Sequence, residues 1–452
     1  MKRKLYIGFI IIVMLVPFVF TFICPTTITY ENRDLTQFPS LVTDSGLNID
    51  YLSELGDYFE DHFAFRNEMV GINAHLHSLI DSSSQESVIL GSDDWLYFKN
   101  TIDDYQGTNT LSDRSLYNIA HNLFLMQGMC EAMGSEFYYV VSPNKNTLYS
   151  ENMPYYYVEG EQGNLDLLIP YLEKEGVNYI DLQSAFEKED EVLYLKTDSH
   201  WNNKGAVLAY NTILDALDVE HDDLSNTDYE IRKDYVGDLD KMLYASYPIL
   251  EEQYYYDIDQ NYEVTSSSDD VESDIISAHN ETGEGNLVMY RDSFGNTLFP
   301  LMANVFEDTY YSKLSPYSLS DVSSLKPDYV IVERVERRIS SIIEEVPVMQ
   351  GPTLSLHGYE TKETNSTIST KVDGDYTIIS GIIDSSVLDT ESQIYVSVDS
   401  DSKIAYEAFG CLKDDADNGY QVYILNKNIP KDATISVYVL TNGQLTQVAR
   451  KD

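Results

Sequence analysis

The spacing of apolar positions changes several times along this chain, and each change predicts a different kind of element. Leu5 to Cys24 is an uninterrupted run of twenty residues without a charge, preceded by Lys2-Arg3-Lys4. A run of that length spans a bilayer as a helix. Farther on, Leu52, Leu55, Tyr58, Phe59, His62 and Phe63 recur at helical spacing, and Arg66 to Ile80 continues in the same style. From Val88 the style changes to short apolar runs, Phe137–Val141, Asn178–Asp181, Leu287–Tyr290 and Tyr329–Val332, alternating with helical stretches at 167–175, 205–216 and 297–305. Strands alternating with helices predict a parallel sheet covered by helices, an α/β fold whose ligand site lies at the carboxyl ends of the strands. After Gly351-Pro352 the helical period disappears. Runs such as Gln393–Val398 and Thr434–Val439, punctuated by Asp373-Gly374-Asp375 and Asn442-Gly443, predict a small all-β sandwich.

These patterns divide the chain into a basic tip at 1–4, a transmembrane signal anchor at 5–24, a helical lead-in at 25–87, an α/β domain at 88–348 and a β-sandwich at 349–452. The basic residues stay cytoplasmic, so everything after Pro25 is expected outside the membrane. A cleaved signal peptide would also start with a basic flank and an apolar run, but no small-x-small site follows. Bulky Phe22 and Ile23 occupy the places where a lipobox before Cys24 needs small residues.

Charge narrows the partners. All 75 Asp and Glu follow residue 30, whereas three of the 29 Lys and Arg precede the apolar run. Nucleic acid needs a basic surface, so it is not expected as a ligand. Residues 251–274 hold nine acids and no base, which predicts a solvated insertion or a mobile loop. Cys24, Cys130 and Cys411 form no disulfide framework, and Cys130 reads as a buried structural thiol. His62, His75 and His77 lack the carboxylate or cysteine spacing of a metal site, and no nucleotide-binding motif is present, so no metal or cofactor is expected.

Two segments carry the candidate chemistry, Asp198-Ser199-His200-Trp201 and Arg291-Asp292-Ser293-Phe294-Gly295. Together they hold the acid, imidazole and hydroxyl of a serine acyl-transfer site, and such triads are defined by geometry rather than chain order. Ser293 follows an expected strand and precedes an expected helix. It can serve there as a nucleophile, with its own N–H and the helix N-terminus steadying an oxyanion, or merely as a helix cap. Asn144 and Lys145 follow another strand, where they can steady an oxyanion or sugar hydroxyl, or simply form the turn after Pro143. Arg291 and Trp201 are further substrate-side candidates, Trp201 as a wall of the pocket.

The run Lys196-Thr197-Asp198-Ser199-His200-Trp201-Asn202-Asn203-Lys204-Gly205 resembles a block of the AlgX/AlgJ-like SGNH hydrolase family, in particular its Gram-positive DHHW branch. Further blocks agree in order: Glu31-Asn32-Arg33, Asp61-His62-Phe63, Asp94-Trp95-Leu96-Tyr97, Ser142-Pro143-Asn144-Lys145, Gly237-Asp238-Leu239 and Arg291-Asp292-Ser293-Phe294. Arg291 stands where standard SGNH enzymes have glycine. The resemblance implies a three-layer α/β/α domain, with Ser293 as nucleophile, His200 as base and Asp198 as acid. It also implies extracytoplasmic O-acetyl transfer on a cell-surface polysaccharide through an acyl-serine, with a membrane-bound O-acyltransferase as donor partner. A polysaccharide O-acetyl esterase, or a catalytically silent glycan-binding scaffold, are the alternatives.

Overall fold

The computed structural model describes residues 2–27, 35–43, 46–78, 83–244, 248–398, 404–414 and 416–451. The Glu31-Asn32-Arg33 block lies outside them. A helix covers Lys2–Thr21, and two more, Tyr51–His62 and Arg66–Ser78, make the lead-in. Among the described residues no helix is long and apolar enough to cross a membrane.

The α/β domain is built on seven strands: β1 Glu136–Ser142, β2 Tyr179–Ile180, β3 Glu263–Val264, β4 Ile275–His279, β5 Asn286–Tyr290, β6 Asp308–Ser312 and β7 Tyr329–Val335. Their order is β2-β1-β7-β5-β6-β4-β3. The first five in that order run parallel, and β4 and β3 add an antiparallel edge. Alternation along β5 explains the layers. Leu287 and Met289 enter a core with the helices Asn203–Ala216 and Gly295–Met302, while Val288 and Tyr290 enter another with Asp113–Ala132 and Asn164–Glu175. A strand buried on both faces needs a continuous apolar run, which is why these strands were readable from composition alone.

From Thr353 to Lys451 nine strands form one connected sheet. The long strand Ile404–Lys413 gives this β-rich region its shape. Its first half pairs with Gln393–Ser397 and Thr353–Ser355, and its second half with Ala416–Leu425. A strand that switches partners in this way turns a corner. The two halves of the sheet therefore close over a shared core that includes Ile379, Val396, Tyr420, Val437 and Val448.

This region is docked on the helix Asp113–Ala132. Phe409, Cys411 and Tyr423 complete the core beneath that helix. Arg114 donates from Nη1 to the carbonyls of Asp389, Thr390 and Ser392 at 3.0, 2.9 and 3.1 Å. A Cβ on Gly410 would lie 2.3 Å from the Asn118 side chain, so the approach requires glycine. All three cysteines are free, and buried Cys130 sits in this core with its thiol pKa pushed up to about 12 by desolvation.

His121 bridges the two regions, with Nδ1 2.7 Å from Glu175 and Nε2 2.9 Å from Glu407. Burial alone would lower its pKa, but the two carboxylates outweigh burial and raise it to about 9. A folded-state pKa above the unfolded value of about 6.5 means the stabilisation is complete below pH ~6.5 and is lost as pH rises towards 9. Wild type should therefore lose about 3 kcal/mol relative to His121→Gln across that window in urea unfolding. A constant difference between the two proteins would show that the imidazolium does not hold the regions together.

Candidate active site

Strand β5 delivers Tyr290 into the core, and the chain then turns sharply through 291–294 into the helix Gly295–Met302. Asp292 shapes the turn. Its carboxylate accepts from the backbone N–H of Phe294 at 2.9 Å and of Val335 at 2.7 Å, tying the turn to the end of neighbouring β7. The Asp292 N–H donates to buried Glu333, which also accepts from the Ser142 hydroxyl at 2.6 Å. Burial and the nearby Asp292 charge push the Glu333 carboxyl up to about 8. The turn is thus fastened to both β7 and β1.

Ser293 stands at the crest of this turn. Its Oγ donates to His200 Nε2 at 2.7 Å, so it is not spent on capping the helix. On the other side of the ring, His200 Nδ1 donates to Asp198 Oδ1 at 2.7 Å. Asp198 is buried, and its Oδ2 accepts from the Asp238 N–H at 2.8 Å and the Tyr235 hydroxyl at 3.1 Å. Burial would raise the Asp198 pKa, but the His200 charge and these hydrogen bonds prevail and hold it well below the carboxylate range. Burial likewise works to lower the His200 pKa, yet the Asp198 charge and hydrogen bond raise it above the ordinary value. The constellation is a hydroxyl, a base and an orienting carboxylate in series.

Segments far apart in sequence hold the loop 195–200 in place. Glu251 accepts from the Thr197 N–H at 2.9 Å, from the Thr197 hydroxyl at 2.6 Å and from the Lys196 N–H. Asp238 accepts from the Ser199 N–H at 2.7 Å and hydroxyl at 2.5 Å, with its carboxylate 3.7 Å from His200 Nδ1. Gly237 passes so close beneath that a Cβ there would lie 2.1 Å from the Thr197 carbonyl oxygen. Asp198, His200 and Asp238 also bring three potential metal-ligand atoms within 4.8 Å of one another, though His200 Nδ1 and the Asp238 carboxylate already serve the hydrogen bonds described.

Four expected contributors lie elsewhere than expected. Lys145 is buried under the loop and donates from Nζ to the carbonyls of Leu195, Lys196 and Asp198 at 3.1, 3.0 and 2.5 Å. Burial brings its pKa down to about 8 against the pull of Asp198, Asp238 and Glu251. Asn144 is also buried, with its N–H on Glu336 at 2.7 Å and its Nδ2 towards Asp104. Trp201 walls no pocket. It is buried against Phe294 and Phe186, and its Nε1 donates to Thr297 at 2.6 Å. Arg291 spends its guanidinium internally, on the carbonyls of Asp292 and Val271 and on Asn296. All four lie behind the site: Lys145 and Arg291 satisfy backbone carbonyls, and Asn144 and Trp201 bond to side chains.

Most acids of the stretch 251–274 are exposed, as a solvated segment requires, but the stretch is also anchored. Leu250–Tyr256 pairs with Tyr229–Val236, Glu251 holds the loop 195–200, and Glu272 accepts from Asn296 at 2.6 Å. Its acids escaped recognition because a count of charges does not reveal which of them meet backbone N–H groups. Asp238, by contrast, carried a signal in its Gly237-Asp238-Leu239 block.

Ser293 and His200 open into a cleft of about 1130 Å³ that is also lined by Phe98, Lys241, Lys313, Arg334 and Arg337. It lies at the carboxyl ends of β5 and β7, where a parallel sheet receives its ligand. Another concavity, about 1280 Å³, opens at the amino ends of the strands among Asp222, Asp257, Glu284 and Asp328, and no part of the Ser293–His200–Asp198 chain reaches it.

Residues 88–280 match the family model of the SGNH hydrolase-like domain, acetyltransferase AlgX. The resemblance read from the sequence blocks is thereby shown for this segment. The AlgX-like segment contains Asp198 and His200 and stops short of Ser293, which the geometry supplies independently. A probable alginate O-acetylase AlgJ of Pseudomonas syringae pv. tomato is 25% identical over 187 residues, 39% of this chain and 45% of that protein. The match thus spans less than half the relative's length. Among solved structures, Bacillus cereus PatB1 aligns with a TM-score of 0.45 and 17% identity over 56% of this chain and 96% of that one. A DHHW family protein from Eubacterium siraeum aligns at 0.40 and 16%, over 49% and 86%. The O-acetyltransferase domain of Pseudomonas putida AlgJ aligns at 0.37 and 16%, over 56% and 92%.

Glu251→Ala removes the acceptor for two backbone N–H groups and one hydroxyl at once. The unfolding free energy should fall by about 1–3 kcal/mol in denaturant titration. A loss under about 0.5 kcal/mol would mean that Lys145 and Asp238 hold the loop without it.

Proposed function

We propose that this protein is a serine-dependent O-acetyltransferase acting on a polysaccharide outside the cytoplasmic membrane. The observation that carries the reading is the chain of two 2.7 Å hydrogen bonds from Ser293 through His200 to Asp198. The AlgX-like match, to a family described as acetyltransferase, supports acyl transfer as the reaction class. The AlgJ relative is described as a probable alginate O-acetylase, which favours a polysaccharide acceptor. The basic tip and the apolar run to Cys24 favour an anchored protein facing outward. A membrane-bound O-acyltransferase is then the natural acetyl donor.

The mechanism follows from the geometry. His200 Nε2 takes the Ser293 proton as Oγ attacks the acetyl carbonyl, and Asp198 stabilises the imidazolium. Collapse expels the donor alcohol, which recovers its proton from His200, and leaves acetyl-Ser293. A sugar hydroxyl then gives up its proton to His200 as it attacks the acetyl carbonyl, and the Ser293–acetyl bond breaks with Oγ recovering that proton. Water in place of the sugar would make the same site an esterase.

The test uses the full chain in detergent with p-nitrophenyl acetate, followed by intact mass spectrometry. Wild type should carry one acetyl group in transit and release nitrophenol, and Ser293→Ala should do neither. The kcat/KM should rise with pH through a midpoint above the ordinary histidine value of about 6.5, because the base must be neutral and its pKa is raised. Adduct or turnover surviving in Ser293→Ala would remove the serine from the mechanism. Adding an oligosaccharide acceptor separates the two products: an acetylated sugar indicates a transferase, and free acetate alone an esterase.

A further inference from the structure

The carboxylates lining the cleft are all committed to protein donors. Asp238 is held by Ser199, Asp292 by two backbone N–H groups, Glu272 by Asn296 and Lys313, and Glu345 by the Ser315 hydroxyl. Arg337, just past the end of β7, is not committed. Among the described residues no hydrogen bond or ion pair engages its guanidinium, which instead stands over the rings of Phe98 and Phe294 at 5.3 and 5.9 Å. Phe294 follows Ser293, and its ring centroid is 4.7 Å from that of His200, so the free cation lies beside the base and nucleophile and lines the same cleft. The Ser293 backbone N–H also donates to no acceptor among the described residues.

We propose that Arg337, together with the Ser293 N–H, stabilises the oxyanion formed when Ser293 attacks the acyl ester. This rests on the serine acyl-transfer reading above. In that step the Oγ–carbon bond forms while His200 accepts the proton, and the carbonyl π pair moves onto oxygen as a full negative charge. When the pair returns, the ester C–O bond breaks and His200 protonates the departing alcohol. Of the residues expected to serve the oxyanion, Lys145 is spent beneath the loop and Asn144 directs its Nδ2 to Asp104, while Arg291 is spent on the 271 segment. Arg337 lies in the field of the Asp292 and Asp238 carboxylates but donates a hydrogen bond to neither, and so remains a charged donor able to meet an oxyanion. Its aromatic neighbours limit competing water, which strengthens such a donor. The Arg337 charge also opposes the carboxylates around His200 and favours the neutral base.

The experiment compares Arg337→Gln and Arg337→Lys with wild type on p-nitrophenyl acetate, a neutral ester with no anionic group to recognise. Arg337→Gln should lower kcat about 10²- to 10³-fold with KM little changed, and should move the pH midpoint of kcat/KM upward. Arg337→Lys should recover part of the loss, and a matching urea midpoint for this variant establishes that it folds. If Arg337→Gln hydrolyses the neutral ester as fast as wild type, the oxyanion role is overturned. A loss confined to assays with an acidic oligosaccharide acceptor overturns it too, since the arginine then recognises a substrate carboxylate. Wild type inert towards the ester would remove the serine chemistry itself and the arginine's role with it, an outcome distinct from both.

Discussion

A buried carboxylate governs the architecture of the cleft. Asp198 is almost fully enclosed, and an ion taken out of water is tolerated only if donors replace its hydration. Four do so: the His200 backbone N–H, the His200 ring, the Asp238 N–H and the Tyr235 hydroxyl. They come from the loop itself, from the strand Tyr229–Val236 and from the start of the helix Asp238–Tyr244. The charge can therefore be buried only when the segment between residues 229 and 244 is folded against the loop. That requirement explains why glycine is needed at 237 and why Lys145 and Glu251 clasp the loop backbone from opposite charges.

The nucleophile depends on a parallel device. Asp292 and Glu333 stand side by side at the ends of β5 and β7, and one N–H joins them. Burial first and repulsion from Asp292 second push Glu333 up to about 8, which favours its neutral form beside that carboxylate. Asp292 then keeps the acceptor strength that holds the Phe294 and Val335 N–H groups and sets the crest on which Ser293 sits. His200 and Ser293 are thus aligned by two independent carboxylate clusters, one on the loop and one on the sheet. They meet only at the Ser293–His200 hydrogen bond.

The parts of this arrangement that were legible in sequence are those set by local periodicity. Phe137–Val141, Leu287–Tyr290 and Tyr329–Val332 read as strands because burial on both faces removes polar residues from them, and each strand is found where the run placed it. Asp198, His200 and Ser293 were legible as types of residue, and their meeting was not, because it depends on how β5 and the 195–200 loop converge across the sheet. Asn144 and Lys145 show the opposite error. Their position just past a strand end was read correctly, but the direction of a side chain at such a place depends on which backbone lies unsatisfied nearby. For Lys145 that backbone belongs to the loop at 195–198, whereas Asn144 directs its Nδ2 to Asp104. The same blindness hid Glu251 within an acidic run.

The C-terminal region has a consequence for the site that neither its composition nor its strand pattern suggests. It shares a core with the helix Asp113–Ala132, whose other face packs on β1, β5 and β7 through Phe137, Tyr139, Val288 and Val332. A region joined through Phe409, Cys411 and Tyr423 to the layer behind the catalytic strands cannot swing as an independent binding module without opening that core. Any glycan it engaged would be held at a fixed orientation to the cleft.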